Sequence, residues 1–311
     1  MSEQLWELAK GALATRALGI VADLDIAGRL ADGPRPVAVL ASESGADEET
    51  LHRLLRALAS EGVFAELEPR VYENTEASRA LCEPKWRAMA HLFGSIWHRS
   101  AGGLDATGAP AFDREFGSDF WSWLAAHPEE RAAFDTAMVD SDGESVERLL
   151  RAGFRGDETV VDVGGGNGSV MIDLLAEQPG LRGIVFDLPE TVRDESQFGD
   201  RLEFVGGSFF ESVPEGDVYI LSTIIHDWDD EPAAEILRTV RAAAPGHARL
   251  IVLDAVIQAG NERRGSKWLD LLMLALLSGR ERDETRWRAL FSETGWEPTR
   301  IENGLIEAVC R

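Results

Sequence analysis

A histidine heads the acidic run His226-Asp227-Trp228-Asp229-Asp230, directly after the apolar stretch DVYILSTII. With an ordinary pKa of about 6.5, an imidazole near neutral pH is mostly uncharged and able to take a proton. That suits general-base work on a hydroxyl. A plain loop histidine, or one helping to cap the helix that starts around Asp230, Glu231 and Pro232, would leave the same trace. A second cluster lies upstream in VVDVGGGNGSVMIDLLAE, where a β-branched run ending at Val163 meets Gly164, Gly165, Gly166, Asn167 and Gly168. Glycines let the chain turn tightly and let a ligand approach main-chain amides at a helix N-terminus. A tight turn with no ligand is the alternative.

The next strand-like run, IVFDLPE, contains Asp187, about 20 residues beyond the loop, where a carboxylate can accept hydrogen bonds from two ribose hydroxyls. Two cofactor classes share that geometry: nicotinamide or flavin dinucleotides, and S-adenosylmethionine. A dinucleotide calls for G-x-G-x-x-G/A, whereas here the spacing is Gly164, Gly166, Gly168, preceded by Asp162. A carboxylate beside the loop disfavours a pyrophosphate and suits the ammonium of an amino acid.

These clusters need elements to hold them. TVVDVG, RGIVFDL, LEFVGG, DVYILSTII and RLIVLDAV read as strands, with SVMIDLLAEQ and PAAEILRTVRAAA helical between them. The alternation predicts an α/β, Rossmann-like, doubly wound and mostly parallel sheet over residues 158–311. Ligands gather beyond the carboxyl ends of such strands, so His226 would face the same crevice as the glycine loop. Residues 1–100 read as mostly helical. There Leu51, Leu54, Leu55 and Leu58 fall at helical spacing after an N-cap at Asp47, and VFAEL and RVYEN follow as a hairpin. Helix-turn-helix followed by a hairpin is a winged-helix pattern. Residues 101–157 are an aromatic-rich helical connector that opens on the loop-like AGGLDATGAPAF.

A winged helix raises the question of DNA, and charge answers it. The 311 residues carry 31 basic and 55 acidic side chains, a net charge of −24, and residues 1–100 carry 11 and 15. The would-be recognition helix opens with Asp47, Glu48 and Glu49, where a DNA reader needs donors. Nucleic acid and anionic membrane are therefore excluded as expected partners. Cys82 and Cys310 form neither a disulfide framework nor a metal or redox spacing, so no metal and a cytoplasmic location are expected. MSEQLWELAK lacks a secretory pattern, and the densest apolar run, Leu269 to Leu277, is interrupted by Asp270 and too short to span a bilayer.

With these motifs in order, the sequence resembles the class I S-adenosylmethionine-dependent O-methyltransferases of small molecules, of the plant caffeate and flavonoid type and the bacterial polyketide-tailoring type. The resemblance runs through the winged-helix-like start, PAFDREFGSDFWSWLAAHPEERAAFDTAM, DVGGGNG, FDLPE, GGSFF, LSTIIHDWDDEPAAEILRTVRAAA and LDLLMLALLSGRERDETRWRALFSETGW. It implies that Asp162, Gly164 and Gly166 hold the methionine part of S-adenosylmethionine and Asp187 its ribose. Ser208 and Phe209 would face the adenine, with Ser208 standing where the family usually has Asp, and Ser222 would be a further cofactor contact. His226 would be the general base, supported by Glu281 and by Asp254, the latter one methylene shorter than the Glu of plant members. Phe134, Met138, Asp227, Trp268 and Met273 would wall the acceptor pocket.

The expectation is a secondary-metabolite O-methyltransferase that acts on a phenolic or similar hydroxyl of a small aromatic, with residues 1–100 making a homodimer. Alternatives are a non-methylating decarboxylation or hydroxylation on the same fold, and a catalytically dead binding or regulatory protein.

Overall fold

The computed structural model describes residues 2–139, 143–189, 191–192 and 199–311. The chain forms two compact units, one of residues 2–106 with 111–139, the other of 107–110 with 143–311. The aromatic-rich connector expected over 101–157 is thus divided between them.

In the first unit, helix Glu48–Ser60 is capped by Asp47, whose carboxylate accepts from the Thr50 amide at 2.8 Å. Leu51, Leu55 and Leu58 are buried beneath it, whereas Leu54 is partly exposed. Strands β1 (Arg35–Pro36), β2 (Phe64–Glu68) and β3 (Val71–Asn74) form an antiparallel sheet in the order β1-β3-β2, which completes the winged helix. The acids that open the helix are engaged by this wing: Arg70, between β2 and β3, pairs with Glu48 at 2.7 Å and Glu49 at 3.0 Å. Helices Ala111–Phe116, Phe120–Ala126 and Pro128–Ala137 hold an aromatic cluster in which Phe112 meets Phe120 edge-on. Pro128 separates the last two, since a proline cannot continue a helix but opens one well.

The second unit is built on strands β4 (Thr159–Val163), β5 (Arg182–Asp187), β6 (Leu202–Gly206), β7 (Val218–Ser222), β8 (Arg249–Leu253), β9 (Trp296–Glu302) and β10 (Leu305–Cys310). Among the described residues they form one sheet in the order β6-β5-β4-β7-β8-β10-β9. The first five are parallel, and β10 joins β8 antiparallel. The antiparallel β9–β10 hairpin is an addition to the five strands expected.

Alternation along the strands supplies both cores. Val161, Val163, Tyr219, Leu221, Leu250 and Val252 pack on one face with helices Asp230–Ala243 and Glu284–Thr294. Val160, Val185, Ile220 and Ile251 face the other way, against helices Glu144–Ala152 and Ser169–Glu177. The stretch DVYILSTII is a strand only as far as Ser222. Thr223 takes a left-handed φ of 54°, and Ile225–Asp227 winds into a single 3-10 turn. That kink ends the strand three residues early and leaves His226 beyond the carboxyl end of the central strand β7, within hydrogen-bond reach of Asp254 after β8.

Candidate active site

The carboxyl ends of the parallel strands carry the residues singled out from the sequence. Asp162 lies in β4, in register between Val185 and Ile220, and only 1% of it is exposed. Neither of its carboxylate oxygens has a hydrogen-bond partner among the described residues. Burial, with the charge of Asp187 adding to it, pushes the Asp162 carboxyl up to about 7. A buried acid without a partner is the kind of group that a cationic ligand satisfies.

Beyond it the chain turns through Gly164 and Gly166, with φ of 77° and 59°. A Cβ on Gly164 would lie 2.5 Å from Ile224, so the turn needs glycine for room as well as for conformation. The Gly166 amide donates to Asp187 Oδ2 at 2.8 Å, which ties the loop to the end of β5. Ser208 follows β6 and accepts from the Phe210 amide at 3.3 Å. Phe209 faces the glycine turn and meets the Trp228 ring edge-on at 6.0 Å. Ser222 closes β7, and its carbonyl accepts from the Thr223 hydroxyl. Glu190, the last residue of the FDLPE motif, lies outside the described residues.

His226 is buried on its 3-10 turn and held at two separate points. Its Nδ1 is 2.7 Å from Glu281 Oε1, and the Glu281 side chain is wholly buried. Its backbone amide donates to Asp254 Oδ2 at 3.1 Å. Asp254, one methylene short of the expected Glu, therefore meets the backbone of His226 by hydrogen bond. Nε2, the remaining ring nitrogen, faces Asp227 Oδ1 at 3.4 Å. The helix that follows is capped by Asp229, which accepts from the Asp230 amide, so Asp227 is not spent on capping.

Electrostatics in this cluster pull in opposite directions. Burial disfavours a charged His226 ring, but the charge of Asp254, the hydrogen bond that Nδ1 donates to Glu281, and the charges of Asp227 and Glu281 outweigh it and push the ring up to about 10. The surrounding carboxylates thus favour the protonated ring. Burial raises Asp227 to about 7 and Asp254 to about 6, while the nearby His226 charge pulls both down. A cavity of about 370 Å³ opens against His226, Asp254, Thr223, Leu253 and Leu269.

The other expected pocket residues are placed variously. Met273 is buried on helix Gly265–Leu276, and Trp268 on the same helix is 66% exposed. Phe134 and Met138 belong to the first unit, where Phe134 packs edge-on against Phe120 and Trp121 and Met138 is exposed. Sequence reasoning missed Gly279, Asp270 and Arg282. A Cβ on Gly279 would lie 2.1 Å from the His226 carbonyl, and Asp270 accepts from the Glu281 amide at 2.8 Å. Arg282 is buried beneath the same turn. The signal for Gly279 and Arg282 was the short string SGRER, in which only the acid was read, whereas Asp270 lies apart from it in the apolar run WLDLLM.

Comparison with known proteins places nearly the whole chain beside one family. Residues 97–297 match the O-methyltransferase domain and residues 6–84 the O-methyltransferase dimerisation domain. The phenazine O-methyltransferase PhzM of Lysobacter antibioticus is 37% identical, over 97% of this chain and 92% of that protein. The mitomycin biosynthesis 6-O-methyltransferase of Streptomyces lavendulae is 33% identical, over 97% and 90%. The crystal structure of LaPhzM superposes with a TM-score of 0.92 at 36% identity, covering 99% of this chain and 98% of that one. The neocarzinostatin O-methyltransferase NcsB1, solved with S-adenosyl-L-homocysteine and 1,4-dihydroxy-2-naphthoic acid, gives 0.84 at 30% identity, over 99% and 98%. The winged-helix unit, the class I methyltransferase sheet and the motif order thus have one explanation: the chain belongs to the O-methyltransferase family.

Proposed function

We propose that the chain methylates a phenolic or similar hydroxyl on a small aromatic secondary metabolite, with S-adenosylmethionine as donor and His226 as general base. The observation that carries this reading is the pair formed by His226 Nδ1 and buried Glu281 Oε1 at 2.7 Å. A carboxylate on Nδ1 fixes the proton there, leaves Nε2 as the acceptor, and stabilises the imidazolium that forms.

The residues at the glycine loop fit the donor. Asp162, buried and unpartnered, suits its cationic amino-acid end, and Gly164 and Gly166 supply close backbone approach. Asp187 would take the ribose, with Ser208, Phe209 and Ser222 around the remainder. When bound, S-adenosylmethionine supplies a methyl group on a positively charged sulfur.

His226 must first shed the proton that its carboxylates hold on it, and a positive charge brought into the same crevice favours the neutral ring. Nε2 then takes the hydroxyl proton as the acceptor oxygen attacks, and the imidazolium stays paired with Glu281. Asp254 holds the backbone of His226 in place. Asp227, beside Nε2, would contact the acceptor, and Trp268 and Met273 are the proposed pocket walls within the second unit. Relatives named as a phenazine O-methyltransferase, a mitomycin biosynthesis 6-O-methyltransferase and a 3-amino-4-hydroxybenzoate 4-O-methyltransferase support an aromatic acceptor. The dimerisation-domain match, together with Leu5, Trp6, Leu8 and Leu13 exposed on helix Glu3–Asp23, supports a homodimer.

The test is methyl transfer from radiolabelled S-adenosylmethionine to a panel of phenols, with wild type and His226→Ala. Removing a general base costs about 10²–10⁴ in rate. Full activity in His226→Ala, or failure of the wild type to bind the donor, would overturn the assignment.

A further inference from the structure

The four residues Gly279–Arg282 touch the His226 turn one after another. Gly279 has no room for a Cβ against the His226 carbonyl, the Arg280 amide donates to that same carbonyl at 2.8 Å, and Glu281 holds Nδ1. Arg282 then reaches under the turn. Its Nη1 donates to the Ile225 carbonyl at 3.0 Å and its Nη2 to the Trp228 carbonyl at 2.8 Å, while Nε donates to Asp230 Oδ1 at 3.0 Å. Its Nη1 also lies 3.5 Å from the Arg280 carbonyl. Only 1% of Arg282 is exposed.

The 3-10 turn supplies the Ile225 carbonyl with only one long bond, from the Trp228 amide at 3.3 Å, and the Trp228 carbonyl lies beyond the turn, so both have room for an outside donor. The planar guanidinium fork supplies two at fixed spacing, on either side of His226 and Asp227, which an ammonium cannot span. A histidine is held on target only if both its ring and its backbone are held. Glu281 fixes the ring; its chain neighbour fixes the turn.

We propose that Arg282 is a positioning residue for His226, clamping the turn that carries the base through the carbonyls of Ile225 and Trp228. The proposal rests on the reading of His226 as the base. It predicts that losing the fork displaces the ring with little effect on the donor site, whose residues lie mostly at the ends of β4, β5 and β6, with Ser222 alone closing β7. A misplacement of about 1 Å is enough to cost roughly 10²-fold in rate.

The test compares Arg282→Lys and Arg282→Met with wild type, using the full chain. Donor-site integrity is read as S-adenosyl-L-homocysteine affinity, turnover on the phenol panel, and ring state by ¹⁵N-histidine NMR of the ligand-free protein, with His226→Ala for assignment. The groups facing the ring, Asp227, Asp254 and Glu281, are unchanged in both variants. Expected for Arg282→Lys are S-adenosyl-L-homocysteine affinity within about threefold of wild type, kcat lower by about 10–100-fold, and a moved His226 resonance. Arg282→Met should go further in the same direction. Wild-type kcat in Arg282→Lys, an unmoved His226 resonance, or affinity falling in step with kcat would each overturn the proposal, as would failure of both variants to fold. If wild type methylates none of the phenols, the functional reading fails, while the NMR comparison still decides on Arg282.

Discussion

Replacing Glu281 by Gln keeps the shape of the side chain and removes its charge, so its consequence follows from hydrogen-bond accounting. Glu281 Oε1 lies 2.7 Å from His226 Nδ1, and Oε2 is buried with no partner among the described residues. A Gln must put its oxygen at one of these places and its amide nitrogen at the other. With NH2 at the Oε2 position, two buried donors go unpaired, at about 1–3 kcal/mol each. With NH2 against Nδ1, the ring must accept there, and its proton moves to Nε2, the nitrogen that the reaction needs free.

The second arrangement satisfies more groups, so the variant should favour the wrong tautomer. A neutral bond in place of a charge-assisted one loses about 1–2 kcal/mol, or roughly 5–30-fold in rate. A wrong tautomer on a catalytic histidine costs up to about 10⁴. We therefore expect kcat of Glu281→Gln to fall between about 10² and 10⁴-fold, with S-adenosyl-L-homocysteine affinity by calorimetry unchanged. Steady-state release of S-adenosyl-L-homocysteine with a phenol acceptor reads the rate. If Glu281→Gln keeps a third or more of wild-type kcat, Glu281 does not set the tautomer.

Other outcomes follow from the same groups. Because His226 accepts a proton only when neutral and sits near 10 in the ligand-free protein, kcat/KM should rise with pH through the neutral range and level off near that value; a flat profile in a chemistry-limited assay refutes it. Asp254→Asn removes one of the charges that raise His226, so this limb should move to lower pH. Asp162 ionises near 3.9 when unfolded and near 7 when folded, so its destabilisation is absent below the first value and complete above the second. Asp162→Asn should therefore raise Tm at pH 8 but not at pH 3, and lose donor affinity; a lower Tm at pH 8 would show that the acid is not an uncompensated charge. Leu8→Glu with Leu13→Glu, placed on the exposed face of helix Glu3–Asp23, should shift sedimentation from dimer to monomer, and an unchanged dimer excludes that face.

How far the site was legible depended on whether a role is carried by residue type or by approach in space. The glycine turn, Asp187 and His226 announce themselves, because few residues tolerate φ near 77° and few titrate near neutrality. The Asp254 contact runs to a backbone amide, which no side-chain pattern records. Arg282 is one arginine among many, and only folding shows that it is buried. The end of β7 was misread because Thr223, Ile224 and Ile225 are all β-branched and favour a strand, while Thr223 turns left-handed at a φ of 54°. The C-terminal hairpin was the avoidable miss: Asn303-Gly304 is a strong two-residue turn signal, and Gly304 has a φ of 76°.

Asp162 also bears on how the donor site waits. Its strand is locked in register on both sides, so the carboxyl cannot withdraw to water. Burial and the charge of Asp187 move its ionisation up to about 7, so with no positive charge beside it the carboxyl holds its proton far more readily than an exposed acid. If a cationic donor binds beside it as proposed, the ionised carboxylate is favoured, and binding would release the fraction of a proton held there. Occupancy becomes a function of acidity as well as of donor concentration, and the heat of binding takes on the ionisation enthalpy of whatever buffer receives the proton.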